Sequence, residues 1–268
     1  MKYVLDHSAL RRHVPLIEKA VLRCFHNNVH QAEGHFAVID RMGDLVRLSA
    51  VICLQGQQME KFFDSDMKSL YHDLECGMTP MNFVFPRIPL PRNRKRDRAQ
   101  KALARFYESQ IHSRRSSGAR EEDMLWHLMQ CRYKDGSPLP DKEICHIMIA
   151  LVMGGQHSAT ATASWVMLRL ASEPQVLQDL YREQIDRPRS GPLSLDDIEG
   201  FRKLKNVVRE TFRVHPPLHS LLRVTQKPVK LGRTGLIVPS KRILLASPAY
   251  ASKAGGSFRN QDNWDPDR

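Results

Sequence analysis

A long helical pattern with two adjacent glycines in its middle constrains this chain more than any other feature. Apolar residues recur at helical spacing from residue 144 to residue 170, and Asp141 is the predicted N-cap. About 30 residues at ~1.5 Å each give ~45 Å, enough to cross a whole domain. Gly154 and Gly155 interrupt this pattern, and each costs up to ~1 kcal/mol relative to alanine inside a helix. The sequence therefore predicts one long internal helix in which the glycines, having no side chains, allow a flat group or a neighbouring backbone to approach closely.

The same 3.6-residue apolar period recurs elsewhere and predicts a mainly α-helical protein. It occurs in residues 10–25, 36–53, 99–111, 124–131, 176–185 and 204–214. Glu173-Pro174 predicts a new helix directly after the long one, and Ser194 opens a short one. Extended pieces separated by proline and glycine predict a small β region after the helices. They are residues 218–224, 229–231, 236–238 and 243–246.

Composition predicts a globular chain with reduced thiols. A hydrophobic fraction of 41% over 268 residues is enough to form a core. Five widely spaced cysteines argue against a disulfide framework or a Cys-x-x-Cys zinc site. The first residues show no signal peptide, and the most apolar stretch, residues 147–153, is far shorter than the ~20 residues that span a bilayer.

A net charge of +12 and a pI of 9.7 admit nucleic acid, a membrane surface or an acidic protein as partner. The densest basic run, residues 92–98, has no interleaved aromatics and leads into an amphipathic pattern. No nucleic-acid module or aromatic platform is found, so nucleic acid is not expected. A solvated helix start and a surface for a membrane or redox partner both stay open.

Residues 78–91 pack four prolines among bulky apolar side chains and cannot form one continuous helix. Such a segment either packs on the core or lines an entrance for an apolar ligand. In the long helix, the glycines are followed by Gln156, His157, Ser158 and Thr160, which require partners if buried. They are compatible with ordinary helix packing or with a ligand or oxygen pocket.

Glu210 and Arg213 lie three residues apart on one predicted helical face and can pair. Because the helix is flanked by apolar residues, the pair is expected to be buried and to need a further partner, for which Arg268 is a candidate. Hydrolase signatures such as Gly-x-Ser-x-Gly or His-Glu-x-x-His are absent from the sequence.

Four motifs, in this order and spacing, closely resemble the cytochrome P450 superfamily, and within it sterol 14α-demethylases of the fungal type. They are Met153-Gly-Gly-Gln-His-Ser158, Glu210-Thr-Phe-Arg213, His219-Ser-Leu-Leu-Arg223 and Trp264-Asp-Pro-Asp-Arg268. Leu70-Tyr-His-Asp-Leu-Glu75 and Asn82-Phe-Val-Phe-Pro86 add to the match, which covers nearly the entire chain. The resemblance implies a single partial P450 domain over residues 1–268, running from the C/D-helix region to the meander.

By this resemblance, Gly154, Gly155, His157 and Ser158 match the oxygen-activating stretch of the family's I helix. His157 would relay protons, and Glu75 matches the acidic position that pairs with it.

Other positions are implied to hold the haem or the substrate. Glu210, Arg213 and Arg268 match the structural triad beneath the haem, and Arg223 matches a haem-propionate contact. The sterol pocket is implied to be lined by Met78, which replaces the family's usual aromatic, and by Phe83, Phe85, Leu218, His219, Ser220, Leu221 and Leu222.

The family implies haem b with a cysteine thiolate on iron, a sterol or triterpenoid substrate, NADPH-cytochrome reductase as electron donor, and the cytoplasmic face of the endoplasmic reticulum membrane. Its Phe-x-x-Gly-x-x-x-Cys-x-Gly loop and its membrane anchor are not matched in these residues. We therefore expect a chain truncated at both ends, with no metal ligand, no retained haem, no catalytic turnover and a possible cytosolic location. The alternative is a non-catalytic remnant, or a sterol- or azole-binding paralogue of a secondary-metabolite pathway.

Overall fold

The computed structural model describes residues 7–26, 35–56, 65–77, 79, 81–82, 85, 88–118, 120, 123–186, 191–232, 234–254, 256 and 258–268. Within them the chain is mainly helical with two small antiparallel sheets, as the sequence predicts. The helices are α1 His7–His26, α2 Val38–Gln55, α3 Ser65–Glu75, α4 Pro91–Ser117, α5 Met124–Gln130, α6 Asp141–Ser172, α7 Pro174–Ile185, α8 Leu195–Gly200, α9 Arg202–Val214 and α10 Pro248–Ala251.

The long helix α6 confirms the main sequence prediction, but Asp141 is its first residue and not its N-cap. The carbonyl of Pro140 accepts the first helical hydrogen bonds, from the amides of Glu143 and Ile144. The Asp141 carboxylate instead pairs with Arg115 of α4 at 2.6 Å. No helix in the described ranges is long and apolar enough to cross a membrane.

The chain divides into two compact units, and the first comprises Met1–His157 and Arg189–Ile198. Its core is formed by α3, α4, α5 and the first half of α6. Leu103, Tyr107 and Ile111 follow one face of α4 at four-residue spacing and are almost fully buried. They pack in one cluster with Met148 and Val152 of α6.

Helix α4 begins at Pro91, eight residues before the predicted apolar pattern. Proline is favoured at the first helical position, and arginine and lysine are good helix formers, so the basic run extends the helix without an apolar face. Arg92, Arg94, Lys95 and Arg98 are exposed there. The basic run is therefore the solvated start of a helix.

Two buried polar networks tie the first unit together. The hydroxyl groups of Tyr71 and Tyr107 lie 2.7 Å apart, and Gln55 Nε2 donates to Tyr107 at 2.5 Å. Burial raises the pKa of Tyr71 to about 12. Arg114 donates through both terminal nitrogens to the Asp123 carboxylate, which also caps α5 by accepting from the Trp126 amide. These contacts fix α2, α4 and α5 to one another.

The second unit comprises Ser158–Pro188 and Glu199–Arg268. Its core contains Leu180 of α7, Val207 of α9 and Trp264, all nearly buried. Trp264 Nε1 donates to the hydroxyl of Thr211 at 3.1 Å, which anchors the C-terminal segment on α9. Glu173-Pro174 opens α7 as predicted.

The β region of the second unit consists of two ribbons. Strands β1 Leu221–Val224 and β4 Ile243–Ala246 pair antiparallel, with Leu221 opposite Ala246 and Val224 opposite Ile243. Strands β2 Val229–Lys230 and β3 Ile237–Val238 form the other ribbon. The extended segment predicted from residue 218 joins a ladder only from residue 221.

Candidate functional site

The two glycines of α6 leave open space beside the helix. Both are exposed, and a Cβ atom added at either position would meet nothing within 4 Å. A flat group could therefore approach the helix backbone there, as the sequence predicts. No group in the described part of the chain fills this space.

A carboxylate, an amide and an imidazole meet where α3 ends against α6. Nε2 of Gln156 donates to Oε1 of Glu75 at 2.7 Å. Nε2 of His157 lies 3.9 Å from the same oxygen, within ion-pair range but too far for a hydrogen bond. The structure thus brings Glu75 and His157 together, but the direct hydrogen bond to Glu75 comes from Gln156, for which the sequence predicted the need of a partner without identifying it.

Next along α6, Ser158 is half-buried, and its carbonyl accepts a hydrogen bond from Thr162 Oγ1 at 2.8 Å. Thr160 and Ser164 are buried, and in the described ranges their hydroxyl groups have no hydrogen-bond partner. Such hydroxyls are normally paired or hydrated, which marks this part of α6 as polar.

In the second unit, Glu210 holds two arginines. Oε2 and Oε1 accept from Nε and Nη2 of Arg213 at 2.8 and 2.7 Å, and Oε1 also accepts from Arg268 Nε at 3.2 Å. The backbone amide of Asp265 donates to Oε1 at 2.9 Å. The three predicted triad residues are therefore in direct contact.

The arginines also bind the backbone of the C-terminal segment. Arg213 donates to the carbonyls of Gln261 and Asn263 at 2.6 and 2.7 Å, and Arg268 donates to the carbonyl of Arg259. Burial by itself would raise the pKa of Glu210. The hydrogen bonds from Arg213 and Asp265 and the charges of both arginines outweigh burial and hold this pKa below its usual value.

Arg223 and the predicted pocket residues from Leu218 to Leu222 lie at the surface of the second unit. Arg223 is exposed and donates to the carbonyl of Leu222, and the His219 ring lies 2.7 Å from the Ser220 hydroxyl. The side chains of Leu218, Leu221 and Leu222 are exposed by 58%, 40% and 58%. Leu221 and Leu222 are consecutive in β1, so their side chains point to opposite faces of the ribbon.

Three of the predicted pocket residues belong to the first unit. Phe85 is 57% exposed, and Met78 and Phe83 lie outside the described residues. Asn82 and Asn93, which sequence analysis did not single out, form a reciprocal amide pair at 2.7 and 3.0 Å. Asn82 also donates to the carbonyl of Gly77, and Asn93 donates to that of Ile88. Through these hydrogen bonds, Gly77 and Ile88 are linked to Asn93 near the start of α4.

A cytochrome P450 sequence profile matches residues 45–268. The chain belongs to the cytochrome P450 family. A sterol 14-alpha demethylase of Aspergillus flavus is 43% identical over 276 residues, which cover 100% of this chain and 54% of the relative. The eburicol 14-alpha-demethylase of Uncinula necator is 38% identical over 279 residues, again over 100% of this chain and 53% of the relative.

A solved structure of a retinoic acid-bound cyanobacterial P450, CYP120A1, superposes with a TM-score of 0.83 at 18% identity, over 99% of this chain and 58% of that one. The P450 chain thus spans about half the length of the curated relatives that it matches. The predicted resemblance and the P450 fold are confirmed.

The cysteines of this P450 chain do not fit the thiolate that the family places on haem iron. Burial raises the pKa of Cys53 and Cys145 to about 11. Burial, followed by the nearby charge of Asp44, also raises the pKa of Cys24. These shifts disfavour the thiolate form of the three side chains. Cys76 follows α3 with its sulfur 3.5 Å from His72 Nε2, and Cys131 caps α5. All five thiols belong to the first unit, none in a glycine-rich loop. None of the five cysteines is therefore suited to bind haem iron.

Proposed function

We propose that these residues form part of a sterol 14α-demethylase-like monooxygenase, which oxidatively removes the 14α-methyl group of a sterol or related triterpenoid. The observation that carries the proposal is similarity of 38–43% identity over the whole chain to proteins named for this activity. Two sets of residues implied by the family support it as well, since Glu210 bonds to Arg213 and Arg268, and Glu75 lies 3.9 Å from His157.

Glu75, Gln156 and His157 support a role in proton handling. An imidazole has two ring nitrogens that can accept and donate protons, which suits it to relay them, and a carboxylate within 4 Å can offset a positive charge on the ring. His157 is exposed, so solvent reaches it directly. In our proposal His157 and Ser158 face the oxygen chemistry and Glu75 is the counter-charge.

Glu210, Arg213 and Arg268 are proposed as structural residues. Their hydrogen bonds hold the segment around Asn263 on α9, and none of the three is free to act as an acid or base. Arg223 is the proposed partner of an anionic carboxylate on the cofactor, because a guanidinium binds carboxylates in a bidentate manner. The exposed apolar side chains from Leu218 to Leu222 are proposed to contact the sterol.

The proposed electron donor is NADPH-cytochrome reductase, and the proposed location is the cytoplasmic face of the endoplasmic reticulum membrane. The exposed basic start of α4 supplies positive charge for an acidic partner surface. In the family, haem b performs the oxygen chemistry. Because none of the five cysteines fits as its ligand, we propose that the 268 residues alone do not hold thiolate-ligated haem, and that turnover requires a cysteine outside them.

The first experiment compares this chain with the complete open reading frame obtained from full-length transcripts. The purified chain, supplied with haem and reduced under CO, should show no thiolate-type band near ~450 nm. The product of a frame that adds a cysteine loop should show the band and convert a 14α-methyl sterol to the demethylated product with a reductase. A band from the 268 residues alone would contradict our assignment of the cysteines.

The second candidate function is non-catalytic binding of sterols or azoles. The exposed leucines before Arg223 in the sequence favour it, and binding needs no cysteine ligand for iron. Titration of the chain with a fluorescent sterol tests it. Leu222→Arg should weaken binding, whereas Leu177→Arg, on the exposed face of α7, is a matched control that should not. Equal binding by both variants would exclude a sterol site at Leu222.

A further inference from the structure

The carboxylate of Glu75 has two neighbours on α6, and only one of them is bonded to it. Gln156 donates at 2.7 Å, while His157 stands 3.9 Å from the same oxygen. Gln156 and His157 are consecutive in a helix, about 100° apart around its axis. Both side-chain nitrogens therefore approach the same carboxylate oxygen.

Glu75 needs a hydrogen-bond donor because of its position. It is the last residue of α3, where unpaired carbonyl groups give the helix a negative end that repels a carboxylate. Its side chain is only 16% exposed, so water cannot solvate it fully. The amide of Gln156 supplies the missing donor.

Gln156 is held firmly in this role. Its side chain is 3% exposed, and in the described part of the chain its Oε1 has no partner, so its bond to Glu75 is the contact that orients the amide. Giving up that bond would leave a buried N–H unpaired, which costs more than a bond between solvated groups returns. His157, in contrast, is 56% exposed and can exchange its hydrogen bonds with water.

We propose that Gln156 is a positioning residue that withholds Glu75 from His157. While Gln156 occupies Oε1, the Nε2 atom of His157 is not committed to Glu75 and can accept or release a proton toward solvent or a ligand. This inference rests on the proposed relay role of His157, but the arrangement itself can be tested without catalysis.

The test measures how fast diethyl pyrocarbonate modifies His157 in the folded 268-residue chain, with peptide mass spectrometry to follow each histidine. The reagent is attacked by a ring nitrogen through its lone pair, and a Nε2–H bonded to Glu75 leaves only Nδ1 with one, so the reaction at Nε2 is lost. In Gln156→Leu, which keeps the volume and removes the donor, Glu75 is released to His157. The modification rate of His157 should fall about threefold to tenfold, the range given by one net hydrogen bond.

Two variants show whether Glu75 causes the change. In Glu75→Gln/Gln156→Leu the rate should return to that of the parent chain, and Glu75→Gln alone should leave it unaltered. His146, exposed on the same helix, is the internal reference and should react at one rate throughout. If Gln156→Leu unfolds, all histidines react faster together, and Gln156→Asn, whose shorter amide cannot reach Glu75, replaces it with the same expected slowing.

An unchanged His157 rate in a folded Gln156→Leu or Gln156→Asn variant would overturn the proposal. So would faster modification in Glu75→Gln alone, because Glu75 would then already hold His157 in the parent chain. Failure of the proposed monooxygenase function has a different signature: the product of the complete reading frame would not demethylate a sterol, while the modification rates would still follow the expected pattern.

Discussion

The imidazole of His215 lies flat against the indole of Trp165, with ring centroids 3.7 Å apart and planes inclined by 1°. Nε2 of the same imidazole accepts from Nε and Nη2 of Arg169 at 3.0 and 2.9 Å. Since arginine only donates, this nitrogen is unprotonated and the folded chain holds His215 neutral. Burial first, then the charges of Arg169 and Lys253, lower the pKa of His215.

The free energy of unfolding should therefore fall in mild acid. The folded state binds a proton on His215 less readily than the unfolded state does. The stabilising contribution of His215 to the free energy of unfolding is therefore complete above the unfolded pKa of 6.5, and it is lost as the pH falls through the lower folded pKa. In His215→Gln, which can still accept from Arg169 but cannot titrate, the fall between about pH 7 and pH 5 should be smaller. Urea denaturation at a series of pH values measures it.

His13 provides the comparison for this experiment. Burial first, then Arg12, lower the pKa of His13, so His13→Gln should also reduce the acid dependence. Independent residues should give additive reductions. Identical pH profiles for the parent chain and His215→Gln would rule out the neutral imidazole.

Replacing Glu210 by Gln should destabilise the second unit by about 3–5 kcal/mol, because two arginines would lose their buried counter-charge. Thermal and urea unfolding measure the loss. Asp196→Asn is the control, since Asp196 pairs with Arg11 in an exposed ion pair that should contribute under ~1 kcal/mol. A similar, small loss in both variants would mean that the Glu210 cluster is not structural.

The amide pair of Asn82 and Asn93 should be strongly coupled. Each change to Ala leaves the other buried amide short of partners and should cost about 1–3 kcal/mol. A double-mutant cycle should give a coupling of about 0.5–3 kcal/mol. The control is a second cycle that combines Asn82→Ala with Ser109→Ala. Ser109 is exposed and lies about 24 Å along α4 from Asn93, so this cycle should show no coupling energy. A coupling near zero for both cycles would contradict the observed pair.

Alanine at Gly154 or Gly155 should stabilise the chain by up to ~1 kcal/mol, because alanine favours the helix and its Cβ meets no neighbour. Ala159→Gly, an exposed position one turn further along α6, should have the opposite effect. Urea denaturation compares the three variants. If Gly154→Ala is destabilising, a group that the described residues do not include must occupy the space beside it.

The sequence predicted the helices well because their apolar period and end signals are local. Helix α6 ends at Ser172 as expected, and Pro174 begins the next helix. Ser194 and Asp197 exchange hydrogen bonds at the start of α8, where the sequence placed a short helix. Among the described helices, α3 was not predicted from periodicity, since its polar side chains obscure the apolar stripe, and the four-residue helix α10 is too short to show a period.

The choice of hydrogen-bond partners could not be predicted in the same way. Gln156 and His157 are neighbours in the chain, and which of them reaches Glu75, 81 residues away from Gln156, depends on how α6 is rotated against α3. Stacking of Trp165 on His215 likewise depends on the packing of α6 against the segment after α9. Arg268 was a correct candidate partner for Glu210 because the motif spacing was known, whereas the Asp265 amide carried no sequence signal.

The ribbon of β1 and β4 has consequences for handling the protein. In the described part of the chain each of these strands pairs only with the other, so each leaves one backbone edge open, and Leu222, Val224, Ile243 and Leu245 are exposed. Open edges bearing apolar side chains are templates for the addition of further strands. At high concentration, copies of this chain should therefore join edge to edge, and dilute solution with a charged solubility tag is the appropriate preparation for every measurement above.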